Sequence, residues 1–183
     1  QKPIAAALCM PTDGVDLRIE KFDPARHDRA GFSCGVDRLD NYLKLTAKRQ
    51  QVDDMTRVYV ITADGDNRIL GYHAINLGMM DVTELPKKPR GTPAHGELPI
   101  LFLGQVAVSQ IAQGQGIGSI LMHHVFEKAS RISEEAGCFA LVLDVMDDGG
   151  EAAFARRCAW YRDFGFQDFA SQAGRMFMTM KQV

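Results

Sequence analysis

The chain has 183 residues, 46% of them hydrophobic and 24% charged, with a formal net charge of −2. That length suits one domain with a full core and is short for two. No apolar run approaches the roughly 18 residues of a membrane-spanning helix. The charge balance does not advertise a nucleic-acid partner, although a regional basic patch remains open because the local field is what counts. Residues 1–14 read as an N-terminal extension and 15–183 as a single domain. Gln1 to Pro11 is mildly apolar without a signal-peptide layout, and a start at Gln1 rather than Met reads as a trimmed N-terminus. Cys9, Cys34, Cys138 and Cys158 are scattered with no Cys-x-x-Cys pair. Reduced thiols in a cytoplasmic protein are therefore expected, and no metal site.

In chain order, Val15 to Phe22 alternates enough to predict a first strand. Phe32-Ser33-Cys34-Gly35 signals a turn, after which Leu39, Tyr42, Leu43 and Ala47 mark one face of a helix reaching about Gln51. Arg57 to Thr62 and Ile69 to Leu77 are predicted strands, joined at Asp64-Gly65-Asp66-Asn67 as a hairpin. Asp81 to Pro99 holds Pro86, Pro89, Pro93 and Pro99 and is expected to be an irregular loop. Such a loop is long enough to touch a substrate, or it is a spacer.

Leu101 to Val108 reads as a buried strand. Ile117 to Ala136 reads as a helix with Ile117, Ile120, Leu121, Val125, Ala129 and Ile132 inward. His123 and His124, adjacent on that helix, must point to different faces, one to the core and one to solvent. Phe139 to Val145 is a predicted strand, Glu151 to Phe164 a helix, and Arg175 to Met180 a closing strand.

The segment between strand and helix carries the chemistry. Gln113-Gly114-Gln115-Gly116-Ile117-Gly118-Ser119 sets three alternate glycines at a helix N-terminus, where unpaired N–H groups and the helix dipole favour a phosphate. A nucleotide P-loop needs a Lys followed by Ser or Thr after the last glycine, and none is here. A dinucleotide fingerprint needs Gly or Ala where Ser119 stands, and an acidic residue about 20 positions on; Glu134 and Glu135 lie at the end of the helix instead. A merely flexible connection is the bland alternative.

Gln113, Gly116 and Gly118 match a third pattern, Gln/Arg-x-x-Gly-x-Gly/Ala. It resembles the pyrophosphate loop of the GNAT N-acetyltransferases, which use acetyl-coenzyme A. The surrounding order of strand, helix, strand and a helix ending Trp160-Tyr161-Arg162-Asp163-Phe164-Gly165-Phe166 fits the same family. The resemblance implies an α/β (α+β) fold with a mixed central sheet of about six or seven strands flanked by helices. A splayed strand pair would form the acetyl-coenzyme A cleft. It further implies that N–H groups of Gln113, Gly114, Gln115, Gly116, Ile117, Gly118 and Ser119 hold the pyrophosphate. The backbone of Val106, Ala107 and Val108 would bond the pantetheine arm, and Tyr161 would protonate the departing thiolate as general acid. The competing reading of Tyr161 is one more core aromatic beside Trp160, Phe164 and Phe166.

The acceptor must be a neutral amine. A lysine side chain with a pKa of about 10.4 is neutral in roughly one molecule in 2,500 at pH 7, whereas an α-amine near 7.7–8.0 is neutral about a tenth of the time and needs far less help from a base. Glu97, just ahead of the strand, is either such a base or an exposed loop carboxylate.

A narrower likeness covers most of residues 15–180. Phe32-x-Cys34-Gly35-x-x-x-Leu39-Asp40-x-Tyr42-Leu43, Arg57-Val58-Tyr59-Val60, Ile69-Leu70-Gly71-Tyr72, Leu85-Pro86 and Leu103-Gly104-Gln105-Val106-Ala107-Val108 resemble the GNAT toxins of bacterial toxin–antitoxin pairs. That resemblance implies acetylation of the α-amine of aminoacyl-tRNA, a homodimer and a ribbon-helix-helix antitoxin. This chain departs from the pattern with Gln105 where Arg is common, and with Trp160 where Phe is common. It also departs in a net acidic balance, where phosphate contacts favour a basic one. Lys44, Lys48 and Arg49, with Lys87, Lys88 and Arg90, are the candidates for a local basic patch or else a solvated face. Asp147-Asp148-Gly149-Gly150-Glu151 puts acid near the cleft. The alternatives are an acetyltransferase for a small amine or protein N-terminus, and a coenzyme A-binding module without turnover.

Overall fold

The computed structural model describes residues 16–86, 88, 91–92, 94–170 and 172–183. The extension over 1–14, with Cys9, Lys87 and Arg90, lies outside them. The strands are β1 (Leu17–Lys21), β2 (Arg57–Ala63), β3 (Gly71–Asp81), β4 (Glu97–Val108), β5 (Ala140–Asp144), β6 (Gln167–Asp168) and β7 (Arg175–Thr179). They form one mixed sheet in the order β1-β2-β3-β4-β5-β7-β6, all antiparallel except the β4–β5 pair.

Alternation along the strands sorts side chains onto two faces. Ile75, Leu101, Leu103, Leu141, Leu143, Met176 and Met178 pack against α3 (Ile117–Glu135) and α4 (Glu151–Asp163). On the other face Val58, Val60, Tyr72 and Ala74 pack against α1 (Asp37–Asn41) and α2 (Ala47–Val52) through Leu39, Leu43 and Ala47. A five-residue π-helical stretch, Tyr42–Thr46, joins α1 to α2. It widens the helix where Tyr42 turns toward the sheet and stacks on Tyr72 at 6.1 Å. Sequence periodicity anticipated one helix over this region, and a π turn leaves little trace in a 3.6-residue pattern.

The proline-rich stretch is shorter than expected. β3 and β4 pair out to Asp81 opposite Glu97, with Met79 opposite Pro99. Pro99 lacks an N–H, so it argues against a strand in any sequence reading. Here Met80, Val82, Leu85 and Ile100 bury together and hold the hairpin closed around it.

Two features of this sheet place the site. First, β4 takes an extra residue: Ile75 faces Leu103 while Ala74 faces Gln105, so Gly104 forms a bulge. Second, β4 pairs with β5 only from Ile100–Ala140 to Leu103–Leu143. Beyond that point β4 continues beside β3 alone, and the two parallel strands part.

On the α3 face, His73 is fully buried, stacked on Tyr59 at 5.2 Å and joined to His124 through Nε2 and Nδ1 at 2.7 Å. His124 is half-buried and His123 exposed, as adjacency on one helix requires. Burial, with His124 and Lys128 nearby, pushes His73 down to about 3. The folded protein thus keeps His73 neutral where an unfolded histidine takes a proton near 6.5. Its contribution is complete above pH 6.5 and is lost as pH falls below that value, amounting to about 2 kcal/mol by pH 5. The thermal unfolding midpoint should therefore drop several degrees between pH 6.5 and 5. In His73→Phe that acid-side slope should flatten.

Candidate active site

The glycine-rich loop follows β4 directly, and its conformation is fixed by residues behind it. Gln113 Nε2 donates to the carbonyls of Cys34 and Val108 at 3.0 and 3.1 Å. Gln115 Nε2 donates to the Ile111 carbonyl at 2.9 Å. Both glutamine side chains are thus committed to holding the loop, leaving its backbone to face outward. Gly114 and Gly116 have φ of 75° and 79°, a left-handed conformation that side chains rarely adopt.

Gly116 caps α3, where the N–H groups of Gly114 to Gly118 make no well-formed hydrogen bond to protein among the described residues. A phosphate would satisfy those donors, and the helix dipole would add to the attraction. The loop therefore fits the pyrophosphate of coenzyme A. Ile117 itself turns into the core with Leu121, so only its N–H is available. Gly118 lies under Trp160: a Cβ there would come within 3.3 Å of the indole ring. Gly71 is tighter still, since a Cβ would meet Ala107 O, Leu121 and Ile117 at 3.0–3.1 Å. Those two glycines let α3 sit close enough to bring its N-terminus to the end of β4.

Where β4 and β5 part, a cavity of about 110 Å³ opens. Leu103, Gly104, Gln105, Val106, Leu143 and Tyr161 line it, with Arg157 and Asp148 at one wall. Val106, Ala107 and Val108 stay paired with His73, Tyr72 and Gly71, and no described strand pairs with their other edge. Ala107 packs into the α1–α2 side of the core, and Val106 and Val108 pack beside α3.

Tyr161 lies at the C-terminal part of α4, edge-on to Trp160 at 4.9 Å and Phe166 at 5.8 Å. Its ring packs on the core while the side chain lines the cavity. The packing is that of a core aromatic, and the cavity lining leaves the general-acid reading open to this residue. Burial pushes the Tyr161 phenol up to about 12, so it carries its proton at neutral pH. Cys158, Cys34 and Cys138 are free thiols raised in pKa by burial, which makes them packing groups rather than nucleophiles.

A second, larger cavity of about 420 Å³ lies on the α1–α2 face. Ala74, Asn76, Phe102 and Gly104 line it from the sheet; Arg38, Tyr42, Gln50 and Met55 line it from the helical layer. Gly104, Gln105 and Asp144 line both cavities, so the two meet at the bulge. This arrangement suits transfer between a donor entering from the glycine-loop side and an acceptor entering from the other.

Sequence reasoning passed over Arg38, Gly104 and Asp144. Their signal is the register of the sheet, which no local pattern carries. Glu97 lies at the far end of β4 from the bulge, exposed and outside both cavities, so it is the loop-side carboxylate and not a base at this site. In the acidic stretch Asp148 accepts from Arg157 Nη2 at 2.9 Å, and Arg157 Nε also donates to the Met146 carbonyl. Asp148 therefore lines the smaller cavity with its charge matched, away from the larger one. Lys44, Lys48 and Arg49 are on the helical layer beside Arg38, with Lys48 and Arg49 exposed.

The model of the acetyltransferase (GNAT) domain matches residues 54–168. The chain is 35% identical over 176 residues to the probable toxin TacT of Sinorhizobium fredii, spanning 95% of this chain and 97% of that one. It is 25% identical over 156 residues to the tRNA-acetylating toxin of Mycobacterium tuberculosis, spanning 85% and 88%. Among solved structures, a tyrosine-to-phenylalanine mutant of KacT aligns with a TM-score of 0.80 at 27% identity, over 90% of this chain and 95% of that one. AtaT complexed with acetyl-methionyl-tRNAfMet shares the fold, with a TM-score of 0.80 at 24% identity over 91% and 96%.

Gly116→Ala forces an alanine into the left-handed region at a cost of about 1–2 kcal/mol and turns N–H donors away from the ligand. Calorimetric titration of the variant with acetyl-coenzyme A should show about tenfold weaker binding. Leu45→Ala, at a residue 74% exposed on the opposite helical layer, leaves the donors in place and should bind normally.

Proposed function

The chain belongs to the GNAT acetyltransferase family, and from that premise we propose that it acetylates the α-amine of an amino acid esterified to tRNA, blocking translation as a toxin. The observation that carries this reading is the meeting of two cavities at the Gly104 bulge. One lies toward the phosphate-binding loop, and the other opens beneath a helical layer bearing Arg38, Lys44, Lys48 and Arg49. The near-full-length likeness to a probable toxin and to a tRNA-acetylating toxin supports the choice of acceptor.

Acetyl-coenzyme A, when bound, supplies an activated thioester carbonyl and a sulfur leaving group. The backbone N–H groups of Gly114 to Gly118 would hold its pyrophosphate, with the side chain of Gln113 bracing the loop from behind; Ser119, expected from the sequence to contribute as well, spends its N–H on the Gly116 carbonyl at 3.0 Å. The open edge of Val106, Ala107 and Val108 bonds the pantetheine arm and aligns it with the bulge. Packing by Trp160 and Phe166 holds the Tyr161 ring against the cavity that it lines, where its hydroxyl would serve the thioester. The Tyr161 Oη proton passes to the departing sulfur, and the high pKa of the phenol ensures the proton is present when needed. An α-ammonium ion gives up its proton to water far more readily than a lysine side chain does, so the neutral amine that attacks can form without a strong base.

We further assign 15–183 as the transferase domain and 1–14 as an extension, and place the protein in the cytoplasm. No helix among the described residues is long and apolar enough to cross a membrane. Val52, Met55, Leu77 and Met79 expose 52–72% of their surface near the stretch of β3 beyond its β2 pairing. That apolar surface supports a homodimer, and a ribbon-helix-helix antitoxin is the proposed neutralising partner.

Purified protein should transfer labelled acetyl from acetyl-coenzyme A to charged tRNA in preference to free amines. Tyr161→Phe should cut turnover by about 10²–10³-fold with acetyl-coenzyme A affinity retained. Full turnover in that variant would remove Tyr161 from the mechanism. Inert charged tRNA with an active small amine would return the protein to the metabolic acetyltransferases.

A further inference from the structure

Resting on the reading that the acceptor is an α-amine, we propose that the Asp144 carboxylate binds that amine as its ammonium ion at the mouth of the parted strands. Asp144 is the first residue of β5 beyond the last β4–β5 pair, Leu103 with Leu143. Alternation puts it on the face covered by α1 and α2, together with Val142. It lines both cavities, and it is the one carboxylate among the described residues lining the larger of them.

Its charge is weakly matched by the protein. Arg175 Nη1 stands 3.8 Å from Asp144 Oδ1, beyond hydrogen-bond distance, and Arg175 Nε is also drawn toward Glu84 at 3.6 Å. No described group donates a hydrogen bond to the Asp144 carboxylate, and its side chain is 45% exposed. Asp148, by contrast, is held directly by Arg157.

The groups around Gly104, which share the larger cavity with Asp144, are acceptors too. Asn76 Oδ1 and the Ala74 carbonyl lie 3.6 and 3.8 Å from the position a Cβ on Gly104 would take. Gln105 Oε1 has no hydrogen-bond partner. A carboxylate, an amide oxygen and a carbonyl around a bulge without a side chain suit a cation with three N–H donors. They disfavour a carboxylate or phosphate at the same point. Arg38, on the helical layer across the cavity, is left for the anionic part of the acceptor.

The test measures initial rates with two acceptors, charged tRNA and an amino-acid amide that carries the α-amine without the nucleic acid. Asp144→Asn should raise the acceptor KM about tenfold for both, with the acetyl-coenzyme A KM unchanged. A carboxylate beside a bound ammonium raises its pKa, so the acidic limb of kcat should move down by about one pH unit in the variant. Arg175→Gln removes the competing cation and should lower the acceptor KM, the opposite direction to any general loss of structure. Unchanged acceptor KM and pH limb in Asp144→Asn would overturn the assignment. So would a parallel rise in the acetyl-coenzyme A KM, or a raised acceptor KM in Arg175→Gln. If the wild-type protein acetylates the amide but not charged tRNA, the tRNA reading fails while the Asp144 assignment is still decided by the amide. Acetylation of neither overturns both.

Discussion

The parting of β4 from β5 after Leu103 and Leu143 organises everything else at the site. Backbone N–H and C=O groups that lose a neighbouring strand need other partners, because burying them unpaired costs free energy. Here the edge of Gly104 to Val108 gives out onto a cavity instead of onto another strand. The bulge at Gly104 sharpens the divergence, since β4 uses one more residue than β3 to cover the same length. β5 stops at Asp144, and the following turn is held by Arg157, whose guanidinium donates to the Met146 and Asp148 carbonyls and to the Asp148 carboxylate. The opening is thus built from strand ends that are themselves firmly held, which is what a preorganised transfer site requires.

The helices reach this opening from both faces, and close packing decides how near they come. α3 brings its N-terminus to the end of β4 because Gly71 of β3 has no side chain under Ile117 and Leu121, and Gly118 leaves room for Trp160 of α4. Aromatic packing of Trp160, Tyr161, Phe164 and Phe166 then ties α4 to α3 and to the sheet. On the other face, Tyr72 donates through its hydroxyl to the Leu39 carbonyl at 2.8 Å, and Asp40 accepts from Ser33 and Cys34. These contacts fix α1 above the bulge, and the π-helical stretch after it widens the layer beside the larger cavity. A donor channel and an acceptor channel can therefore be shaped independently and still converge on the same few atoms.

How much of this could be read from the sequence follows from how local each signal is. The glycine loop, the helix it caps and the aromatic corner at Tyr161 are contiguous patterns, and each was legible. Six of the seven strands were legible from their apolar patterns, but the two-residue β6 was not, nor were the strand ends around Met79 and Pro99, where burial of Met80 and Leu85 outweighed proline. Gly104, Arg38 and Asp144 were not legible, because they become functional through strand register and the seating of a helix over a sheet. Glu97 carried two readings, a base or an exposed carboxylate, and a strand of 12 residues decides for the second by carrying it to the far end of β4 from the bulge.

Charge is where the chain total misleads most. A formal net charge of −2 argues against a nucleic-acid acceptor only if charges are spread evenly. The acidic stretch before α4 turns its cavity-lining member, Asp148, toward Arg157, so it presents little free negative charge to an acceptor. Asp144 keeps its side chain exposed on the floor where the strands part, while Arg38 lines the same cavity from the helical layer. An aminoacyl-tRNA end carries both signs in the same order: an ammonium ion at its tip and phosphates behind it. A uniformly basic surface would attract the phosphates but leave the tip unguided. On the proposed reading, Asp144 below and Arg38 across the cavity would orient the molecule, and for that the net charge of the chain is beside the point.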